Sequence, residues 1–117
     1  DALPIYRLQL LRAGNREKNT GVSIMLEKTI EKKIKDYAKS KECLAYKFTS
    51  PARRSVPDGM FITPLGTVFF IEFKQLGKKP TPGQEREIKR LQEQYVSVFI
   101  VDNVETGKQI IDDMVAL

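Results

Sequence analysis

Three ionisable residues stand where a β-rich stretch should be apolar. Asp58 lies in Pro57-Asp58-Gly59, and Glu72 and Lys74 flank Phe73 at the end of the run Thr67-Val68-Phe69-Phe70-Ile71. Side chains alternate faces along a strand, so Glu72 and Lys74 share one face while Phe73 takes the other. Charges at the end of a hydrophobic strand are costly unless they pair or bind a metal. A second carboxylate arriving from a neighbouring strand supplies the metal explanation. The bland alternative is a buried Asp58-Glu72-Lys74 ion cluster with no chemistry, an arrangement that seldom stabilises a fold on balance.

Composition narrows the chemistry further. The 117 residues contain no histidine and a single cysteine, Cys43. That excludes imidazole-based triads, histidine-metal sites, zinc fingers and internal disulfides. Carboxylates, lysines, hydroxyls and amides remain, and these favour hard cations such as Mg²⁺ or Mn²⁺. With 20 Lys and Arg against 15 Asp and Glu, the net charge of +5 suits an acidic partner such as nucleic acid without proving one. No apolar stretch is long enough to span a bilayer and no signal-peptide pattern is present, so a soluble, cytoplasmic protein with no membrane partner is expected.

The elements that must position these residues follow from periodicity. From Leu26 to about Glu42, Ile30, Ile34, Tyr37 and Ala38 recur at helical spacing with lysines opposite them. Leu44 to Phe48 reads as a strand, followed by a loop over 49–56 with Arg53 and Arg54 at its tip. Met60 to Ile62 and Thr67 to Phe73 are strands joined through Pro64-Leu65-Gly66, a hairpin connection with glycine available for positive φ. Antiparallel pairing carries Asp58 towards Glu72 and Lys74. After the basic loop Gly77-Lys78-Lys79-Pro80, Thr81-Pro82-Gly83-Gln84 opens a second helix: threonine caps, proline takes the first turn, and glutamine sits at the capping-box position. Gln84, Ile88, Leu91 and Tyr95 are expected on one face of it. Val96 to Val101 is a short apolar strand, expected in the interior, and Asn103 to about Ala116 is a last helix with Ile110, Ile111, Met114 and Val115 inward. The expected fold class is α/β, a central mixed β-sheet flanked by helices in the order α-β-β-β-α-β-α.

One domain is expected over residues 25–117. Residues 1–24 read as a non-native or disordered extension: Gly21-Val22 can be encoded by a ribosome-binding sequence ahead of Met25, and Asp1 to Ile5 resembles a translated adapter. The competing expectation is an N-terminal arm with a helical stripe of Ile5, Leu8 and Leu11.

Taken in order, Glu27 with Ile30 in the first helix, the stretch from Ser50 to Asp58, Phe70-Ile71-Glu72-Phe73-Lys74, Lys78-Lys79-Pro80 with Gln84, and the late strand ending in Asp102 resemble the PD-(D/E)xK nuclease superfamily. More closely, they are similar to stand-alone VRR-NUC domains of the small phage and bacterial type. The likeness runs from Met25 to the C-terminus. Two positions depart from the pattern: Gly59 stands where the family often has arginine, and Gln94-Tyr95 replaces the usual glycine before the last strand.

The resemblance implies a restriction-endonuclease-like core and metal-dependent hydrolysis of DNA. It also implies structure-selective endonuclease activity of the Holliday-junction-resolvase kind, branched DNA among the substrates, a homodimer, and a bacterial or phage-infected host cell. Asp58 and Glu72, with the carbonyl of Phe73, are then the expected ligands of Mg²⁺ or Mn²⁺, and Lys74 orients water or stabilises charge in the transition state. Glu27 is the expected first-helix acid, with Glu31 one turn on as its competitor. Gln84 matches a glutamine that holds water or the catalytic lysine, although a capping glutamine needs no other purpose. Ser50, Arg53, Arg54, Lys78 and Lys79 are the expected nucleic-acid contacts, each equally readable as solvated surface. The rivals are a catalytically silent DNA-binding module of the same fold, a restriction or exonuclease-type nuclease, and a structural protein with a paired-ion core.

Overall fold

The computed structural model describes residues 26–117. The expectations for residues 1–24 therefore lie outside the described residues. Within them the chain runs α1 (Glu27–Ser40), β1 (Leu44–Lys47), β2 (Gly59–Ile62), β3 (Val68–Phe73), α2 (Pro82–Glu93), β4 (Ser97–Val101) and α3 (Val104–Val115). The predicted element order and the mixed sheet are both present. No helix among the described residues is long and apolar enough to cross a membrane.

The sheet order is β1-β2-β3-β4, antiparallel from β1 to β3 and parallel between β3 and β4. A tight hairpin makes the antiparallel step possible. Gly66 takes φ +87° and its N–H donates to the Thr63 carbonyl at 2.9 Å, while Thr63 N–H donates to the Thr67 carbonyl at 2.9 Å. Parallel pairing instead needs a crossover, and α2 is that crossover. Among the described residues β4 is therefore an edge strand rather than the interior strand expected. Its apolar run is explained by burial on its faces, with Val98, Phe99 and Val101 all inaccessible.

One face of the sheet carries the main core. Phe61, Phe69, Ile71, Phe73, Phe99 and Val101 pack with Ile30, Ile34 and Ala38 of α1 and Ile110, Ile111 and Met114 of α3. The rings interlock rather than merely crowd: Phe61 stacks on Phe69 at 5.2 Å, and Phe69 meets Phe99 edge-on at 6.1 Å. Gly107 sets how closely α3 approaches α1. A Cβ there would lie 2.1 Å from Cδ1 of Ile34, so only glycine fits without a shift.

Both α1 and α2 end in the same hydrogen-bonded C-cap. Cys43 N–H donates to the Ala38 carbonyl and Glu42 N–H to that of Lys39; Val96 N–H donates to the Leu91 carbonyl and Tyr95 N–H to that of Gln92. This is the Schellman arrangement, which requires a left-handed residue just past the helix. Glu42 (φ 65°) and Tyr95 (φ 63°) fill the position. Tyr95 thus departs from the expected helical face with Ile88 and Leu91. The helix stops at Glu93, and the cap turns the Tyr95 ring outward to 86% exposure.

Candidate functional site

The β2–β3 register pairs Gly59 with Ile71, which brings Asp58 alongside the end of β3. There the Phe73 N–H donates to Asp58 Oδ2 at 3.0 Å, and Phe48 N–H holds the Asp58 carbonyl at 2.7 Å. Alternation along β3 sends Phe73 into the core and Glu72 to the opposite face, where it is 1% exposed. Lys74 follows on the same side, with its Nζ 3.3 Å from Glu72 Oε2.

Gln84 completes this arrangement from the first turn of α2. Its side chain closes the capping box, accepting from Thr81 N–H at 2.9 Å while Thr81 Oγ1 accepts from Gln84 N–H at 3.2 Å. The same amide oxygen accepts from Lys74 Nζ at 2.7 Å, and its nitrogen donates to Glu72 Oε2 at 2.8 Å. Capping and site roles, alternatives at the level of sequence, are thus combined in one side chain. Helix formation itself delivers the amide to the acid and the amine.

Electrostatics at the site is dominated by carboxylates that crowd one another out of water. Burial, followed by the Asp58 charge, pushes Glu72 up to about 7, against the opposing pull of Lys74. Asp58 is raised by burial first, with the Phe73 N–H opposing and Glu31 adding to the rise. Glu27 is raised by burial and by Asp58. Both first-helix acids therefore sense the site. Glu27 interacts with Asp58, Lys74 and Glu72, whereas Glu31 interacts with Asp58 and is tied to Lys35 at 2.6 Å.

The donor set has one feature that asks for a cation. Glu72 Oε2 is satisfied by Lys74 and Gln84, but Oε1 is buried with no hydrogen-bond partner. An unsatisfied buried carboxylate oxygen costs a few kcal/mol or more unless something positive meets it. Among the described residues no three acidic, cysteine or histidine side chains close into a ready-made cage. The available set is Asp58, Glu72 and the main chain between Glu72 and Lys74, an all-oxygen set that fits Mg²⁺ or Mn²⁺ with water completing the shell.

The expected nucleic-acid residues separate into two kinds. Arg53 does not stand free: its Nε and Nη2 donate to Glu87 Oε1 at 3.1 and 3.0 Å, and Arg90 Nε lies 3.6 Å from the same oxygen. Ser50 supports that loop through its carbonyl, which accepts from Arg53 N–H at 3.4 Å. Ser55 presses on the start of α2, where a Cβ at Gly83 would come 3.1 Å from its Oγ. Arg54, Lys78 and Lys79 are exposed. The turn carrying Lys78 is anchored by buried Asp102, whose Oδ2 accepts from Gly77 N–H at 3.0 Å.

Sequence reasoning gave no site role to Glu87 or Lys47, and named Asp102 only as the end of the last strand. Glu87 could have been suspected from its position between Gln84 and Ile88 on the inner face of α2. Lys47 pairs with Gly59 across β1 and β2, and its charge acts on Asp58; only strand register reveals that.

No family model matches the chain. It is 40% identical over 80 residues to the protein named "Putative nuclease p44" of Acyrthosiphon pisum secondary endosymbiont phage 1, covering 68% of this chain and 86% of that protein. A solved VRR-NUC domain superposes with a TM-score of 0.69 at 29% identity, over 74% of this chain and 94% of the other. Relatedness in sequence and in fold converge on one conclusion: the chain belongs to the VRR-NUC domain family.

Proposed function

We propose that this protein is a metal-dependent deoxyribonuclease of PD-(D/E)xK type that hydrolyses phosphodiester bonds as an endonuclease selective for branched DNA. The observation that carries the proposal is the buried, partnerless Oε1 of Glu72 beside Asp58, with a lysine fixed next to it. The phage relative's name supports nuclease activity. Branched-DNA selectivity, a homodimer and action inside a bacterial or phage-infected cell rest on the resemblance to junction resolvases.

Asp58, Glu72 and the Phe73 carbonyl would hold the ion. A bound Mg²⁺ or Mn²⁺ supplies a water of lowered pKa and neutralises charge on the phosphate. Asp58 is oriented by the Phe73 N–H, so its position is set by the strand pair rather than by a flexible rotamer. Lys74 is held by the Gln84 oxygen, which keeps the ammonium beside Glu72 and available to charge developing on the phosphate oxygens. Gln84 also occupies Glu72 Oε2, leaving Oε1 as the oxygen that would be available to the cation. Glu27 adds negative charge near Asp58 and Lys74, which favours cation uptake.

The test is a cleavage panel of single-stranded, duplex, flap and four-way DNA with Mg²⁺, Mn²⁺ or EDTA. Asp58→Ala and Lys74→Ala should each lose at least ~100-fold in turnover while the fold is kept. Retained cutting by either variant refutes the site, and binding without cutting by the unaltered protein identifies a silent DNA-binding module.

A further inference from the structure

The outer face of α1 carries charge that the site does not use. Lys28, Lys32, Lys35 and Lys39 follow one another at intervals of four, three and four residues, which places all four on one stripe of the helix. Ile30, Ile34 and Ala38 occupy the buried side. The stripe lines a groove of about 410 Å³ that Lys47 of β1 closes on its other side. Two acids, Glu31 and Asp36, also line it, paired with Lys35 and Lys32. The five lysines against two acids leave a net charge of +3 in the groove.

The groove leads to the candidate site. Lys47, on its wall, pairs with Gly59 across β1 and β2, beside Asp58, and the next residue, Phe48, donates its N–H to the Asp58 carbonyl at 2.7 Å. From Lys28 to Lys39 the helix advances about 16 Å, the axial length of roughly five phosphates on one strand of a duplex. Resting on the nuclease reading above, we infer that this groove is a phosphate track along which the backbone of duplex DNA runs into the Asp58-Glu72 site. Lys28, Lys39 and Lys47 are its principal cations, because Lys32 and Lys35 are partly neutralised by their acidic neighbours. The track makes no base contacts, so it contributes affinity and register without sequence preference.

Binding of a fluorescent 20-bp duplex in EDTA, measured between 50 and 200 mM salt, tests this without any cutting. Lys28→Gln, Lys39→Gln and Lys47→Gln are combined in one protein. A second protein carries Lys33→Gln, Lys89→Gln and Lys108→Gln, which removes equal charge from elsewhere. All six positions are exposed, and thermal melts confirm that both proteins are folded. The groove protein should bind roughly ten-fold or more weakly at 100 mM salt, with its log–log salt slope reduced by about 2 to 3. Arginine at the three groove positions should restore the slope. Equal slopes in the two glutamine proteins overturn the track. Cutting by the unaltered protein with equal slopes overturns the track alone, whereas a reduced slope without cutting overturns the nuclease reading and keeps the track.

Discussion

At the scale of single residues, Glu72 concentrates the tension in the molecule. It lies in a strand between buried Ile71 and Phe73, yet it carries a carboxylate raised from the ordinary 4.5 to about 7 by burial and by Asp58. Between these values the folded chain keeps a proton that the unfolded chain has released, so folding stability falls as pH rises. Its contribution is fully present below about pH 4.5 and lost above about 7, a change of about 3 kcal/mol. Denaturant melts in EDTA should therefore find the protein more stable at pH 5 than at pH 8. Glu72→Gln should flatten most of that slope, leaving a remainder of the same sign from Asp58 and Glu27. A slope unchanged in the Gln variant would show that Glu72 is already ionised in the folded protein. That Glu72 and Lys74 share a face was legible from sequence because side chains alternate along a strand, and hairpin pairing carried Asp58 towards them. The Arg53–Glu87 tie was not, because the partners are 34 positions apart on a loop and a helix whose approach no local pattern encodes.

At the scale of elements, the starts of α2 and α3 follow local sequence signals, whereas the start of α1 at Leu26 has no side-chain cap and the ends of α1 and α2 carry no such signal. Thr81, Pro82 and Gln84 announce α2, and Asn103 caps α3 by accepting from Thr106 N–H at 2.8 Å. The ends of α1 and α2 lack the glycine that would have marked them, so the periodic face of α2 reads two residues past its end at Glu93, to Tyr95. A left-handed non-glycine residue costs about 1–2 kcal/mol, partly offset because glycine loses more backbone freedom on folding, about 0.5–1 kcal/mol. Tyr95→Gly should therefore raise stability by about 0.5–1 kcal/mol, since the exposed ring has little packing to lose; thermal melts would show a rise of a few degrees. A fall would mean that the ring makes a contact worth more than the strain. Gly107 carries the opposite lesson. Alanine there must displace Ile34, and overpacking of this kind costs about 1–3 kcal/mol, read out in the same melts.

At the scale of the whole molecule, the sheet and three helices bring acids from a helix, a loop and a strand to one end of β3. Under the proposed metal role, such a concentration of negative charge would link folding to cation binding. Titrating Mg²⁺ into the metal-free protein at pH 8 should raise the melting temperature, by the equivalent of about 2.7 kcal/mol at a hundred times the dissociation constant. Asp58→Asn should abolish the rise, and a rise of equal size in that variant would place the ion elsewhere. The amino-acid sequence by itself determined the element order, the inward faces of α1 and α3, the hairpin, the capping box and the identity of the charged residues at the strand end. Each of these follows from periodicity, φ preference or hydrogen bonding within a few residues. Only the tertiary structure decided that β4 lies at the sheet edge, that Gln84 bridges Glu72 and Lys74 while capping its helix, that Arg53 is spent on Glu87, and that the α1 lysines share a groove with Lys47, which pairs with Gly59 beside Asp58. These depend on register and on the packing of segments far apart in the chain, where the relevant energies arise from burial and from charges that meet only once the core has closed.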